Sequence, residues 1–354
     1  MDIKRILLVV LAVLLLVVAW TMIFGGHDGN SPSLAPKGDV SMAVTGDVMF
    51  ARNMAGVLST DVSPFEGVSN VTSNVDLLLI NFENAATTSE NAVKGDVPLK
   101  CDPSYVPLAK ANNNTVAALA NNHVFDYGID GMRDTSNNLK KAGITTVGAG
   151  ENQQEAGQAV VKEINGRKIT ILNYMDANNF AEYGDEIIPS AKASSPGYSA
   201  YNTDSAKNEI QKHNDSDLIV AFMHYGNEYT KEPNEDQKRI SHELIDNGAD
   251  VVIGAHPHVV QGIEMYNGKP IFYSLGDFIF DISGGDLDNA YMVKLNIVGD
   301  KCECSVYPVY LSNFLPHLMD ADSGRTLIES LTPLCSELQI DGNGVGKLTF
   351  DLSN

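Results

Sequence analysis

The stretch 250–258, DVVIGAHPH, constrains this chain more than any other. Residues 250–253 form a short apolar, β-branched run that reads as a buried strand. The run stops at Gly254, and two imidazoles one proline apart follow it, His256 and His258. Residues i and i+2 of an extended segment point the same way. Pro257 favours an extended backbone at His256, so both rings are expected to converge at the end of a strand. Neutral imidazole is the commonest metal ligand and suits zinc, manganese and iron. An isolated His-x-His is more often a pair of solvated loop residues than a metal site, so its weight depends on what the other strand ends carry.

Those ends repeat the pattern. Strands are expected over 40–45, 76–80, 115–119, 145–147, 218–223 and 270–274, and helices over 129–142 and 235–247, the latter two each followed by a glycine. Residues 102–112 read as a further helix with Pro103 near its start. Two hairpins are expected, one turning at Asn165-Gly166 and one at Gly299-Asp300. Alternating strands and helices imply an α/β fold, with some antiparallel pairing from the hairpins. Residues 189–201 read as a loop covering the site, and 327–341 as a peripheral helix and turn.

Six of the seven expected strands run into polar residues: Asp47; Asn81 and Glu83; Asn122 with His123; His224; His256 and His258; Asp277. Ligands of open α/β sheets bind beyond the carboxyl ends of the strands. Singly, Asp47 or Asn122 is an ordinary turn former and His123 an ordinary structural histidine. Jointly they deliver carboxylates, amides and four of the chain's eight histidines toward one rim. That donor set suits a hydrolytic centre holding one or two divalent ions of Mn, Zn or Fe. The candidate metal ligands are Asp47, Glu83, Asn122, His224, His256 and His258, with Glu83 as a bridge. His123, left off the metal, is the candidate general acid. Asn81, Glu228 and Asp277 are candidates for orienting substrate or a liganding histidine.

The net charge of −21 argues against nucleic acid as a partner, because phosphate binding needs clustered Lys and Arg. At the N-terminus, Lys4 and Arg5 precede nineteen uncharged residues, 6–24. At about 1.5 Å per residue these span roughly 28 Å of helix, enough to cross a bilayer. No A-x-A-like cleavage site follows, so an uncleaved signal anchor is expected, with a cleaved signal peptide as the alternative. The positive-inside rule places the body outside a single-pass cell-membrane anchor. Residues 25–38 read as a flexible linker, 39–315 as the functional domain and 316–354 as a peripheral extension. Cys101, Cys302, Cys304 and Cys335 define no pairing by spacing alone.

The segments GDVMFAR (46–52), NFENAAT (81–87), ANNHVFDYG (120–128), HYGNEY (224–229), GADVVIGAHPHVVQGIE (248–264) and IFYSLGDFIFD (271–281) resemble, in order, the motif set of the CapA family of poly-γ-glutamate capsule biosynthesis proteins. The resemblance implies a four-layer α/β/β/α sandwich like that of calcineurin-type metallophosphoesterases. It also implies a role in making or exporting poly-γ-glutamate or a related exopolymer, with other synthase subunits, an acidic polymer or a phosphoester as partners. The alternatives are a non-catalytic assembly subunit and a general metallophosphoesterase. A metallophosphoesterase begins its site with Asp-x-His; here Asp47 is followed by Val48 and Met49, so that histidine is missing.

Overall fold

In the computed structural model the described residues are Asp2, 37–60, 62–181 and 183–352. The expected anchor at 6–24 and most of the linker lie outside them. Among the described residues no helix is long and apolar enough to cross a membrane.

Two sheets carry the fold. The larger has ten strands, with Val40–Val48 at its centre. On one side Leu77–Phe82, Thr115–Ala118 and Thr145–Val147 follow in parallel. On the other, Asn289–Val298, Lys301–Ser312 and Gly346–Asp351 are antiparallel. The second sheet has six strands. Its middle four, Lys269–Phe272, Val251–Ala255, Leu218–His224 and Arg167–Met175, are parallel, and antiparallel hairpins flank them.

Period-two alternation sorts the strand residues into three cores. Val40, Met42, Val44, Leu77, Leu79, Val116 and Ala118 of the first sheet meet Ile169, Ile171, Val220, Phe222, Val251 and Ile253 of the second. The intervening Ala43, Leu78, Ile80 and Ala117 face outward with Met132 and Leu139 of the helix Gly128–Lys141. Leu172, Ile219, Ala221 and Val252 face outward on the second sheet with Ala206 and Ile210 of Thr203–Lys212 and Ile240 and Leu244 of Glu235–Asp246. Helices, sheet, sheet and helices therefore stack as layers, each sheet buried on both faces.

Several boundaries differ from expectation for identifiable reasons. The segment read as a helix over 102–112 is a 3-10 turn, Pro103–Ala109, because Pro107 inside it removes a helical N–H donor. The second hairpin is longer than expected, its ladder continuing to Val298 and Lys301 beside the turn. The C-terminal helix is Ala321–Leu331, starting at an Asp320 cap that accepts from the backbone N–H of Asp322 and Ser323. Segment 316–354, expected as a peripheral extension, supplies the sheet strand Gly346–Asp351, and Leu348 and Phe350 enter the inter-sheet core. All four cysteines are buried free thiols.

Far from the site, Asp217 ties the start of the body to the second sheet. Its carboxylate accepts from Lys37 Nζ at 2.9 Å, Arg167 Nη1 at 3.3 Å and the Lys168 backbone N–H at 2.9 Å. Burial works to raise its pKa, but these donors and the two cations outweigh it and hold the carboxyl below its usual value. A depressed folded pKa gives stability that is present above the unfolded value and lost as pH falls through the folded one. Asp217→Asn is therefore expected to cost about 1–2 kcal/mol at neutral pH, the exposed Lys37 contributing little. The difference from wild type shrinks below about pH 4; urea unfolding at neutral and acid pH checks both statements.

Candidate metal centre

The carboxyl ends of the parallel strands in both sheets open onto the same place. The first sheet brings Asp47, Asn81, Glu83, Asn122 and His123; the second brings His224, His256 and His258. Asp47 lies within its strand, next to a register shift, and pairs in parallel with Asp277, which opens a short strand Asp277–Ile279. The strands come this close because Gly46 has no side chain: a Cβ there would stand 1.9 Å from the carbonyl oxygen of Gly276. That carbonyl also accepts from the Asp47 backbone N–H. Gly46→Ala is expected to force the two strands apart, costing about 1–3 kcal/mol and loosening the Asp47–Asp277 pairing; a melting curve with and without added Zn²⁺ reads both effects.

His256 does not have the extended backbone that Pro257 favours. Its φ is +101°, and that of His258 is +59°. Side chains rarely occupy this region, and such strain, about 1–3 kcal/mol per residue, gathers at functional sites. The two rings still approach each other, with centroids 6.0 Å apart, and His224 lies 4.8 Å from His256.

The side chains converge tightly. Ligand atoms of Glu83, His256 and His258 lie within 4.8 Å of one another, as do those of Asp47, Glu83 and His224, and those of Asp47, His258 and Asp277. Asn122 Oδ1 is 2.8 Å from His224 Nε2. Asn81 sits in the middle: its Nδ2 donates to Asp47 Oδ1 at 2.7 Å and Glu83 Oε2 at 3.2 Å, and lies 3.3 Å from His224 Nδ1. Asn121 Nδ2 fixes that orientation by donating to Asn81 Oδ1 at 3.2 Å. His258 Nδ1 is 2.8 Å from Asp277 Oδ1 and 3.6 Å from Asp47 Oδ2.

Electrostatics mark the cluster as short of positive charge. Burial, then the Asp47 charge, pushes Glu83 well above the usual carboxylate range. Burial raises Asp277 to about 6 against the pull of His258. Burial lowers His224 and His256 well below the usual imidazole value. For His258 burial is outweighed by the charge and hydrogen bond of Asp277 and the charge of Asp47, which carry it up to about 9. Glu83 Oε1 and Asp277 Oδ2 are buried without a hydrogen bond, a costly state for carboxylate oxygens. These bare oxygens and the mixed carboxylate, imidazole and amide donors fit a divalent ion of Mn, Zn or Fe type.

Beside the cluster lies a cleft of about 160 Å³ lined by His123, His258, Glu228, Tyr229, Lys94 and Arg52, among others. His123 Nδ1 is 2.7 Å from Asp126 Oδ2, which also accepts from the Leu99 backbone N–H at 2.6 Å. Burial, partly offset by Asp126, lowers the His123 pKa. The sequence reading missed Asp126, Lys94 and Arg52, although Asp126 stands three residues after His123 in the same segment. Residues 189–201, expected to cover the site, do not line this cleft. That wall is formed by Lys94, Asp96, Val97, Leu99 and Tyr183 with the exposed Tyr229.

Fold and cluster define a class: a two-sheet α/β protein whose strand ends build a buried carboxylate–imidazole centre with a donor set for divalent metal. Comparison places the chain further. The sequence model of the family described as bacterial capsule synthesis protein PGA_cap matches residues 41–282. The PGA biosynthesis protein CapA of Bacillus subtilis (strain 168) is 32% identical over 334 residues, covering 89% of this chain and 83% of that protein. The capsule biosynthesis protein CapA of Bacillus anthracis is 31% identical, covering 78% and 68%. The chain belongs to the PGA_cap family of bacterial capsule synthesis proteins, the CapA family. Among solved structures, a hypothetical protein from Thermus thermophilus matches at 14% identity and a TM-score of 0.41, over 78% of this chain and 95% of that one. Vps29 of Chaetomium thermophilum matches at 10% and 0.29, over 78% and 98%.

Proposed function

We propose that this chain works in the biosynthesis or export of a poly-γ-glutamate capsule or related exopolymer, as an extracytoplasmic protein held to the membrane by its N-terminal apolar segment. We further propose that it acts there as a metal-dependent hydrolase of the calcineurin-like metallophosphoesterase type, beside other exopolymer synthase subunits. The pathway is carried over from the CapA relatives in Bacillus subtilis and Bacillus anthracis. The chemistry rests on one observation: acidic and imidazole side chains from two sheets meet beside a cleft that holds a His–Asp pair.

Asp47, Glu83, His224, His256 and His258 would hold the ion or ions, with the carbonyl oxygen of Asn122, and Asp277 orients His258. A bound divalent cation supplies Lewis acidity. His123 handles the proton. Asp126 holds its Nδ1–H, so Nε2 is the atom that exchanges a proton with the leaving group. Burial keeps the ring neutral in the free chain, and an anionic substrate beside it raises its proton affinity, making it the donor in the complex. Glu228 and Tyr229, which line the same cleft, position the substrate.

The test is turnover by the full-length chain loaded in turn with Mn²⁺, Zn²⁺ and Fe²⁺, on a phosphodiester and on a γ-glutamyl amide. Release of product from one of them, abolished by a chelator and restored by the metal, is the expected result. A metal-loaded, folded chain that turns over neither would favour a second reading, a non-catalytic assembly subunit of the synthase complex. The observation on that side is Met49, a fully buried apolar residue where a metallophosphoesterase carries its first histidine.

A further inference from the structure

Among the described residues Lys94 has one ion-pair partner, Asp126, and it is a distant one. Its side chain is only 4% exposed and it lines the cleft together with His123, His258, Glu228 and Tyr229. An ammonium has three donors and no acceptor. Among the described residues, the polar atoms that approach Nζ are His123 Nδ1 at 3.5 Å and Asp126 Oδ1 at 3.8 Å. The first does not serve: at 2.7 Å from Asp126 Oδ2, His123 Nδ1 carries the proton of that bond and is itself a donor. The second is beyond hydrogen-bond range, and Asp126 Oδ1 is in turn buried without a hydrogen bond. The Tyr183 ring, with its centroid 5.0 Å from Nζ, supplies a cation–π face on one side only. Backbone hydrogen bonds from Val93 and Lys94 to the Asp126 carbonyl hold the segment in place, so the ammonium is fixed at the cleft wall.

Burying a charge without hydrogen-bonded partners is costly, and such cost persists in proteins at sites that bind. The protein as a whole carries a net charge of −21, so a buried cation beside the candidate proton-transfer residue is not a consequence of average composition. The Arg52 guanidinium on the same cleft is already engaged by Asp281 and stacks over Phe280, leaving Lys94 as the donor with capacity to spare.

We propose that Lys94 is a substrate-specificity residue that receives an oxyanion, a carboxylate or a phosphoryl group, next to the bond that the site breaks. This extends the hydrolase reading by naming the substrate class: a small anionic end group, since the cleft has room for roughly five waters at about 30 Å³ each. A phosphoester and a glutamyl unit both present that chemistry.

The test uses the full-length chain in calorimetric titrations with inorganic phosphate and, separately, glutarate, each with Zn²⁺ present and after chelation. Wild type is expected to bind at least one, and the probe that binds tells which source the site prefers. Lys94→Met should weaken that binding about tenfold or more, while Lys94→Arg keeps most of it. Lys94→Met should also melt no lower than wild type, because it removes a poorly paired buried charge and keeps the apolar stem. Three results overturn the proposal: wild type binding neither probe, Lys94→Met binding as wild type does, or Lys94→Met melting far below wild type, which would make Lys94 a structural counter-ion of Asp126. None of these readouts needs turnover, so failure of the hydrolase reading appears separately, as absent catalysis with the Lys94 effect intact.

Discussion

Replacing His256 and His258 together by alanine is expected to strip the chain of transition metal while leaving it folded. The two rings supply both nitrogen donors of the group they form with Glu83, and His258 is also the imidazole of the group formed by Asp47 and Asp277. What remains is a single imidazole, His224 with Asp47 and Glu83; losing two of the three imidazoles turns the donor set toward one that selects hard cations, so the affinity for Zn²⁺ or Fe²⁺ collapses. Folding should survive because both residues lie beyond the strand Val251–Ala255, whose ladders on either side are untouched. The Asp277 carboxyl, which loses its imidazole partner, is already raised to about 6 by burial and can take up a proton instead. In wild type, a metal at a hundred times its dissociation constant adds about 2.7 kcal/mol of stability. Elemental analysis and melting curves with and without metal measure the two effects together: the variant should hold no metal and show no metal-dependent rise in Tm. Full metal content in the variant would mean that these histidines are not ligands.

His123→Ala has the second large effect, and on a different observable. The ring stands outside the three ligand groups, held by Asp126 at the cleft, so metal content should match wild type. General acid–base groups contribute about 10²–10⁴-fold to rate, and turnover should fall by that amount. In cells lacking the native gene, the variant should fail to restore polymer output despite normal folding and metal content. Unchanged output would place the protein's contribution in assembly instead of chemistry.

How much of this was legible in the sequence varies by residue. The continuous apolar runs at 77–80 and 218–223 read directly as strands buried on both faces, and the polar residues after them name most of the cluster. The two-sheet sandwich came only from the family resemblance: strand periodicity carries no partner information, and Asp47 and His258 come within 3.6 Å only through the sandwich. The sequence could not say that His256 adopts φ +101°, since the local bias of Pro257 runs the other way and packing at the strand end overrides it. Lys94 sits in a polar segment, ENAVKGDV, with no periodicity and no motif; its burial is a tertiary fact. The wall of the cleft was misplaced for the same reason, because loop segments such as 91–99 carry little signal about what they cover.

The most direct test of the central claim, that these strand ends form one metal centre, is anomalous X-ray scattering at the metal's absorption edge from crystals of the metal-loaded, full-length chain. One or two peaks among Asp47, Glu83, His224, His256 and His258 is the predicted result. A chain that crystallises from excess metal with no peak at this cluster, or with its only peak elsewhere, would contradict it.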